Sequence, residues 1–421
     1  MKGNSKIPVL WIPTLYFAEG VPYVVVNILS VIFYKVMGMS NDDIAFYTSW
    51  FYLPWVIKPL WSPIAELFKT AKFWIIFCQF FAGILFAATA YFIPAENYVK
   101  YTVIFFWLAA FTSATHDIAA DGFYLKALNT NQQAFWVGIR TTFYRISMIF
   151  CQGGLVIMAG NLTEKYCDAK FGWRITFLTI AVLLVIFSIY HFFTLPKIEE
   201  NKDKVEKVNF KKILEPFKSF FNKKGIGIVI LFLLVYRLGE AQLTKISAPF
   251  LLDSIEKGGL GLSQSELGFI TGTVGLIALI LGGILGGMYI SLRGLKSSLI
   301  PMLLILNLPD VLYVYMAAVQ TQSFFAISTM VFVEQFGYGF GFTAYSVYMM
   351  YVSKGENSTS HYAVCTAFMA AGMMIPGMVS GYLQNIMGYT TFFIWVIVCS
   401  IPAILLALKL RIDDFDEKKQ K

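Results

Sequence analysis

Long uninterrupted apolar runs decide what this chain can become. Residues 75–93, 175–193 and 392–410 each approach the roughly 20 residues that cross a bilayer core as a helix. They lack the two-residue alternation of a barrel strand, so helices are the expected spanning element. Composition agrees: 57% of the 421 residues are hydrophobic and 14% are charged, whereas a soluble domain carries roughly 25% charge. The first apolar segment runs past the length of a leader's h-region and contains Glu19, Gly20 and Pro22, so no cleavable signal is expected. Cys78, Cys151, Cys365 and Cys399 fall inside apolar runs and Cys167 lies in a loop, which leaves no natural disulfide pair.

Periodicity and turn residues predict spans at 9–36, 43–67, 72–94, 99–127, 132–160 and 172–195, then at 225–252, 264–290, 297–319, 323–352, 359–387 and 389–410. The link at 196–224 holds nine lysines and five acids. Its Phe210, Ile213, Leu214, Phe217, Phe220 and Phe221 have the spacing of an amphipathic helix on a membrane surface, although a solvated linker would read similarly. An even number of spans puts both termini on one side. Lys and Arg number 22 on that side and six on the other, which predicts cytoplasmic termini. The net charge of +8 is therefore read as membrane topology and not as a nucleic-acid footprint.

Six spans, a basic link and six more make an all-α membrane protein that resembles the layout of the major facilitator superfamily, with halves at 1–195 and 225–421. In that fold two six-helix halves rock about a central site. Tyr16-Phe17-Ala18-Glu19-Gly20 in span 1 echoes Tyr236-Arg237-Leu238-Gly239-Glu240 in span 7.

Ionisable residues inside the spans are the functional candidates, because each costs at least about 2.5–3.5 kcal/mol at the bilayer centre. Span 4 carries His116, Asp117 and Asp121; span 5 carries Arg140 and Arg145. Asp117 and Asp121, four apart, share a helix face. Counting back from the turn at 129–131 sets Asp121 level with residue 139 and Asp117 level with residue 143, so Arg140 and Arg145 are their partners in height. Two readings stay open: a fixed ion-pair lattice, or an acid that exchanges a proton when the pair parts. Glu19, beside the kink residues Gly20 and Pro22, is a further protonatable candidate. Lys58 lies too deep to snorkel easily, which points to Glu19 or an anionic substrate group as its partner.

In the second half Arg237 and Glu240 are three apart and able to neutralise each other, or else to bind substrate charges. Glu334 lies in span 10, and Asp310 follows Pro309 in span 9 without an assigned role. Trp61, Tyr124, Tyr144, Tyr236 and Tyr345 sit beside these charges, where a sugar ring stacks or where packing alone needs them. Gly282-Gly283 and Gly286-Gly287 in span 8 predict close helix contact.

The segment from Tyr52 to Pro63 (Tyr52-Leu53-Pro54-Trp55-Val56-Ile57-Lys58-Pro59-Leu60-Trp61-Ser62-Pro63) resembles the span 2 signature of the AmpG-type anhydromuropeptide permeases. Asp117-Ile118-Ala119-Ala120-Asp121 is similar to their span 4, and Tyr144-Arg145 with Gly153-Gly154-Leu155 to their span 5. Tyr236-Arg237-Leu238-Gly239-Glu240 looks like the opening of span 7, where lysine and aspartate are commoner, and Glu334 with Phe336, Gly339 and Gly341 like span 10. The resemblance implies proton-coupled import of sugar–peptide cell-wall fragments across a bacterial inner membrane, by a monomer without a cofactor. A related branch carries acetyl-CoA, another large anionic solute. His116 stands where the family more often has glutamine, Glu66 replaces an aspartate, and the basic cluster between spans 2 and 3 is thinned to Lys69 and Lys72.

An enzyme is the contrasting class. His116, Asp117 and Asp121 are a possible metal set, but more ligands are needed, and the sequence shows no second acidic motif at matching depth. No P-loop is present, so ATP is not expected to drive the chain. The expected site is thus Asp117, Asp121, Glu19 and His116 for the proton, with Lys58, Trp61, Tyr124, Arg140, Tyr144, Arg145, Arg237, Glu240, Glu334 and Tyr345 for substrate.

Overall fold

Backbone amides and carbonyls find no partners in lipid, so a chain this apolar must satisfy them within helices. The computed structural model, which describes residues 8–197, 210–355, 357–410 and 412, is helical throughout and has no strand among those residues. Nine stretches of the described residues are long and apolar enough to cross a membrane. They are Pro8–Val36 (span 1), Ala71–Phe92 (span 3), Tyr98–Ala127 (span 4), Asn131–Tyr166 (span 5), Ala169–Thr194 (span 6), Ile226–Leu252 (span 7), Gln264–Arg293 (span 8), Leu295–Val319 (span 9) and Ser358–Ala407. Gly388, at φ 70°, breaks the last of these into spans 11 and 12. Span 2 consists of Asn41–Trp50 and Leu53–Phe68, and span 10 is Phe324–Ser353. The twelve expected helices are all present.

Several spans are interrupted where chemistry is concentrated. Span 7 stops at Val235 and restarts at Leu238, leaving Arg237 outside helical geometry at φ −109° and ψ 25°. Span 9 stops at Asn307, passes through a tight turn at Leu308–Asp310 and resumes at Val311. Pro309 accounts for that break, since it has no amide to donate to the carbonyl four residues earlier.

The chain forms two compact units. The first comprises residues 1–38, 50–210 and 263–272, and the second 39–49, 211–262 and 273–421. Within the first, the start of span 8 is tied to spans 5 and 6. Trp173 donates to Gln264 at 3.0 Å, Ser265 donates to Asn161 at 2.9 Å, and Gly272 lies against the Gln152 carbonyl. Within the second, Asn41 donates to Gln384 at 2.7 Å and to the Tyr389 hydroxyl at 2.9 Å, and Lys245 donates to Thr48 at 2.9 Å.

Packing in the second unit is closest between spans 8 and 10. A Cβ on Gly282 would lie 2.2 Å from the Phe336 carbonyl, and one on Gly286 2.7 Å from the Phe340 carbonyl. Of the other two glycines of the paired motif, nothing stands near Gly287, whereas the Gly283 carbonyl accepts from Thr343 of span 10 at 3.3 Å. Small residues four apart therefore let backbones touch, as the sequence predicts. The link supplies a helix, Phe210–Phe221, whose Phe220 is buried in the apolar core of the second unit beside Phe232 and Leu303. Ser219 bonds the His361 Nε2 at 2.8 Å, and Lys223 donates to the Val352 carbonyl at 2.6 Å. This end of the link is docked. The rest of the charged link, residues 198–209, lies outside the described residues.

Gly282→Val should lower the melting temperature and the folded yield of purified protein, by an overpacking cost of about 1–3 kcal/mol or more. Gly287→Val, two helix faces away, should leave both unchanged. Equal behaviour of the two variants in a detergent melting assay would refute the close contact.

Candidate functional site

Span 4 runs as one helix through the first unit, packed against spans 1, 2 and 3. Buried alanines at 114, 119 and 120 let those neighbours approach. Asp117 and Asp121 project from this helix one turn apart. Lys58 of span 2 forms an ion pair with the Asp117 carboxylate, and each side chain keeps 24% of its surface accessible. Glu19, 8% exposed, enters from span 1 within electrostatic range of Asp117 and Asp121. Arg140 of span 5 pairs with Asp121 at 2.9 Å. Its guanidinium also lies 4.6 Å from the Tyr16 ring centroid and 5.0 Å from that of Tyr124. The Tyr124 hydroxyl donates to the Gln133 carbonyl at 2.5 Å, which fixes one wall of this cation cage.

Charge bookkeeping of the cluster is informative. Three carboxyls (Glu19, Asp117 and Asp121) meet two cations (Lys58 and Arg140). Full ionisation of all three would leave one negative charge in excess, which a proton on one carboxyl removes. The arrangement can hold one proton among the acids while each acid of span 4 retains a cation.

His116 is placed differently from expectation. Its Nε2 bonds the Gln79 amide nitrogen at 2.9 Å; the Gln79 carbonyl oxygen meets His191 Nδ1 at 2.8 Å; and His191 Nε2 meets the Thr14 hydroxyl at 3.0 Å. This buried chain leaves His116 Nε2 as an acceptor and orients both rings. His116 does not join Asp117 and Asp121 in a potential metal set: among the described residues the only such group is Glu240, Asp310 and Glu334. The sequence offers His191 as a signal, a polar residue inside span 6, but nothing that couples it to Gln79.

The remaining candidates divide into lining and packing. Hairpin counting pairs Arg140 with Asp121 correctly, whereas Asp117 takes Lys58 from span 2, and not Glu19, as that lysine's ionic partner. Arg145 and Tyr144 are half-buried on span 5, Tyr144 beside Tyr23 and Tyr52. Trp61 is half-buried, with its ring 5.4 Å from that of Phe111. Glu66 lies outside the residues whose side chains are described. In the second unit Tyr345 is fully buried, stacked 4.4 Å from Tyr236, and donates its hydroxyl to the Leu233 carbonyl at 2.5 Å. Its exposed surface is nil, so it acts as packing. Arg237 donates to the Tyr338 hydroxyl at 2.5 Å and lies over the Tyr338 and Phe342 rings at 5.2 and 5.1 Å. The break in span 7 removes the helical i, i+3 relation with Glu240. Glu240 and Glu334 are instead buried together with Asp310.

A sequence model described as Major Facilitator Superfamily matches residues 14–251. The AmpG 4 protein of Rickettsia conorii, named as a transporter, is 25% identical over 94% of this chain and 94% of its own length. An anhydromuropeptide permease of Escherichia coli is 23% identical over 94% of this chain and 78% of its own. Among solved structures, the nucleoside transporter NupG superposes with a TM-score of 0.68 at 16% identity, covering 97% of this chain and 98% of that one. A D-xylose–proton symporter superposes at 0.67 and 12% identity, covering 95% and 96%. With a family match across more than half of the chain and the same fold throughout, this multi-pass membrane protein is a transporter, not an enzyme, and belongs to the major facilitator superfamily.

Proposed function

We propose that the chain imports anhydromuropeptides, the sugar–peptide fragments of the bacterial cell wall, into the cytoplasm together with protons. The observation that supports the coupling is the first-unit cluster, in which three carboxyls meet two cations. An ionic group at bilayer depth with a quarter of its surface accessible must open to water, because lipid exposure would cost at least about 2.5–3.5 kcal/mol. Supporting the substrate is the likeness along 94% of the chain to a named anhydromuropeptide permease.

In this reading one carboxyl of the cluster binds the proton when the cluster faces the outer side. Closer approach of Lys58 to the acids on the inner side would lower their proton affinity and release it. Arg140, held between Tyr16 and Tyr124, presents a fixed cation for a substrate carboxylate. Alternating access supplies the coupling, since a substrate and a proton that bind together cross together. The protein resides in the bacterial inner membrane as a monomer with both termini in the cytoplasm, an orientation that the excess of 22 over six basic residues supports.

Uptake of labelled anhydromuropeptide into proteoliposomes should rise with an inward proton gradient and collapse with an uncoupler. Uptake indifferent to the gradient would remove the coupling; uptake of acetyl-CoA alone would change the substrate. Asp117→Asn should abolish accumulation driven by the gradient while leaving substrate exchange partly intact. Unchanged accumulation would reduce Asp117 to scaffold.

A second pair of variants separates scaffold from coupling. Lys58→Met leaves Asp117 without its cation and should destabilise the protein by a few kcal/mol, about 3 or less given the residual accessibility. Lys58→Met combined with Asp117→Asn should restore the melting temperature without restoring gradient-driven uptake. Recovery of both together would mean that the pair serves stability alone.

A further inference from the structure

Three acids far apart in sequence meet inside the second unit. One oxygen from each of Glu240, Asp310 and Glu334, on spans 7, 9 and 10, lies within 4.8 Å of the other two. All three are buried, at 4%, 1% and 1% exposure.

Local sequence explains the meeting. Gly337 and Gly341, on the face of span 10 that also carries Glu334, bring that helix onto the broken part of span 9. A Cβ on Gly337 would lie 2.4 Å from the Ile305 carbonyl and 2.8 Å from Pro309. Pro309 breaks span 9 and turns the next residue, Asp310, inward. On the third side, Gly239 sits against the Val396 carbonyl, which seats the start of span 7 and with it Glu240.

Two of the acids have protein donors. Glu334 accepts from the Gln335 amide at 3.0 Å, and Glu240 accepts from the Thr244 hydroxyl at 3.0 Å. Asp310 does not: neither carboxylate oxygen has a hydrogen-bond partner among the described residues, and one Glu240 oxygen is likewise unmatched. An unmatched buried carboxylate aimed at two others is costly, since burial removes its water and like charges add repulsion. Arg237 is within electrostatic range of Glu240, but its guanidinium is turned toward Tyr338 and Phe342. One cation does not balance three acids.

We infer that Glu240, Asp310 and Glu334 bind a hard, oxygen-seeking metal cation of sodium or calcium size. The spacing admits such an ion: coordination at about 2.3–2.6 Å separates opposed oxygens by as much as about 5 Å, and these three oxygens lie within 4.8 Å of one another. Magnesium, which demands an octahedron at about 2.0–2.1 Å and keeps several waters, suits a dry three-carboxylate pocket poorly. This site is independent of the Asp117 cluster and of the substrate. It assigns Glu240 and Glu334 to ion binding in place of substrate contact.

The test uses the full purified chain. Scintillation-proximity binding with radioactive sodium and, separately, radioactive calcium should show saturable binding of one ion per chain for one of the two. The melting temperature should rise with that same ion at constant ionic strength, with choline as the control, and should not rise with magnesium. Asp310→Asn and Glu334→Gln should each weaken binding about tenfold or more, because ligand charge sets affinity at such sites. Asp117→Asn should bind as the unmodified chain does. Absence of saturable binding of either ion to the unmodified protein would overturn the proposal, even if the variants fail to fold. So would stabilisation by acid pH without any cation effect, which would make the acids a proton store.

Discussion

A charge taken into a membrane must be met there, and that requirement organises this molecule. The Lys58–Asp117 pair shows how it is met. Neither residue is neutralised by its own helix; each reaches across to a neighbouring span, so the ion pair ties span 2 to span 4. Arg140 repeats the device one turn away, with two tyrosine rings standing in for water around the guanidinium. Because these interactions join separate helices, any sliding of one helix past another alters the charge balance. Structure and proton affinity are thereby linked through a single set of contacts.

Interrupted helices perform the placing. A regular helix fixes which residues face one another, and a residue at a break escapes that rule. Arg237 leaves the helical register between Val235 and Leu238 and turns to aromatic rings on span 10. Asp310 owes its inward position to Pro309, and spans 11 and 12 part where Gly388 adopts a left-handed φ. Glycines without unusual dihedral angles act by absence of bulk: Gly282, Gly286 and Gly337 admit a neighbouring backbone where any side chain would collide. Apolar matter supplies the bulk of the fold, but a few prolines and glycines decide where the polar groups go.

These facts explain what could be read in the sequence. Apolar length reports span number directly, so the twelve helices were legible, as was the Arg140–Asp121 match, which depends only on distance from a hairpin turn. The amphipathic spacing of the link marked a true helix, Phe210–Phe221, though not its docking through Phe220 and Ser219. Contacts between spans distant in sequence were not legible. Lys58 gives no sign that it will choose Asp117 over Glu19. Arg237 and Glu240 look like an intrahelical pair only on the assumption of an unbroken helix. The expectation that no second acidic group exists at depth failed for the same reason: Glu240, Asp310 and Glu334 stand 70 and 24 positions apart in the sequence and converge only through packing.

The internal echo in the sequence takes on physical meaning at this point. Tyr16 with Glu19 in span 1 and Tyr236 with Glu240 in span 7 open the two halves with an aromatic ring and an acid about one turn later. Each acid becomes a member of the carboxyl cluster in its own unit. The partners then diverge. Tyr16 faces Arg140, and its cluster holds two cations; Tyr236 is spent on Tyr345 and the Gly341 carbonyl, and the acids of its cluster stand without a matching set of bases. A duplicated scaffold carrying identical clusters would impose identical charge demands on both halves. Here two protein cations pair with the first cluster, whereas the base near the second, Arg237, is turned toward aromatic rings. The same architectural position therefore carries a different charge demand in the two halves, and the difference follows from which basic side chains the neighbouring spans contribute.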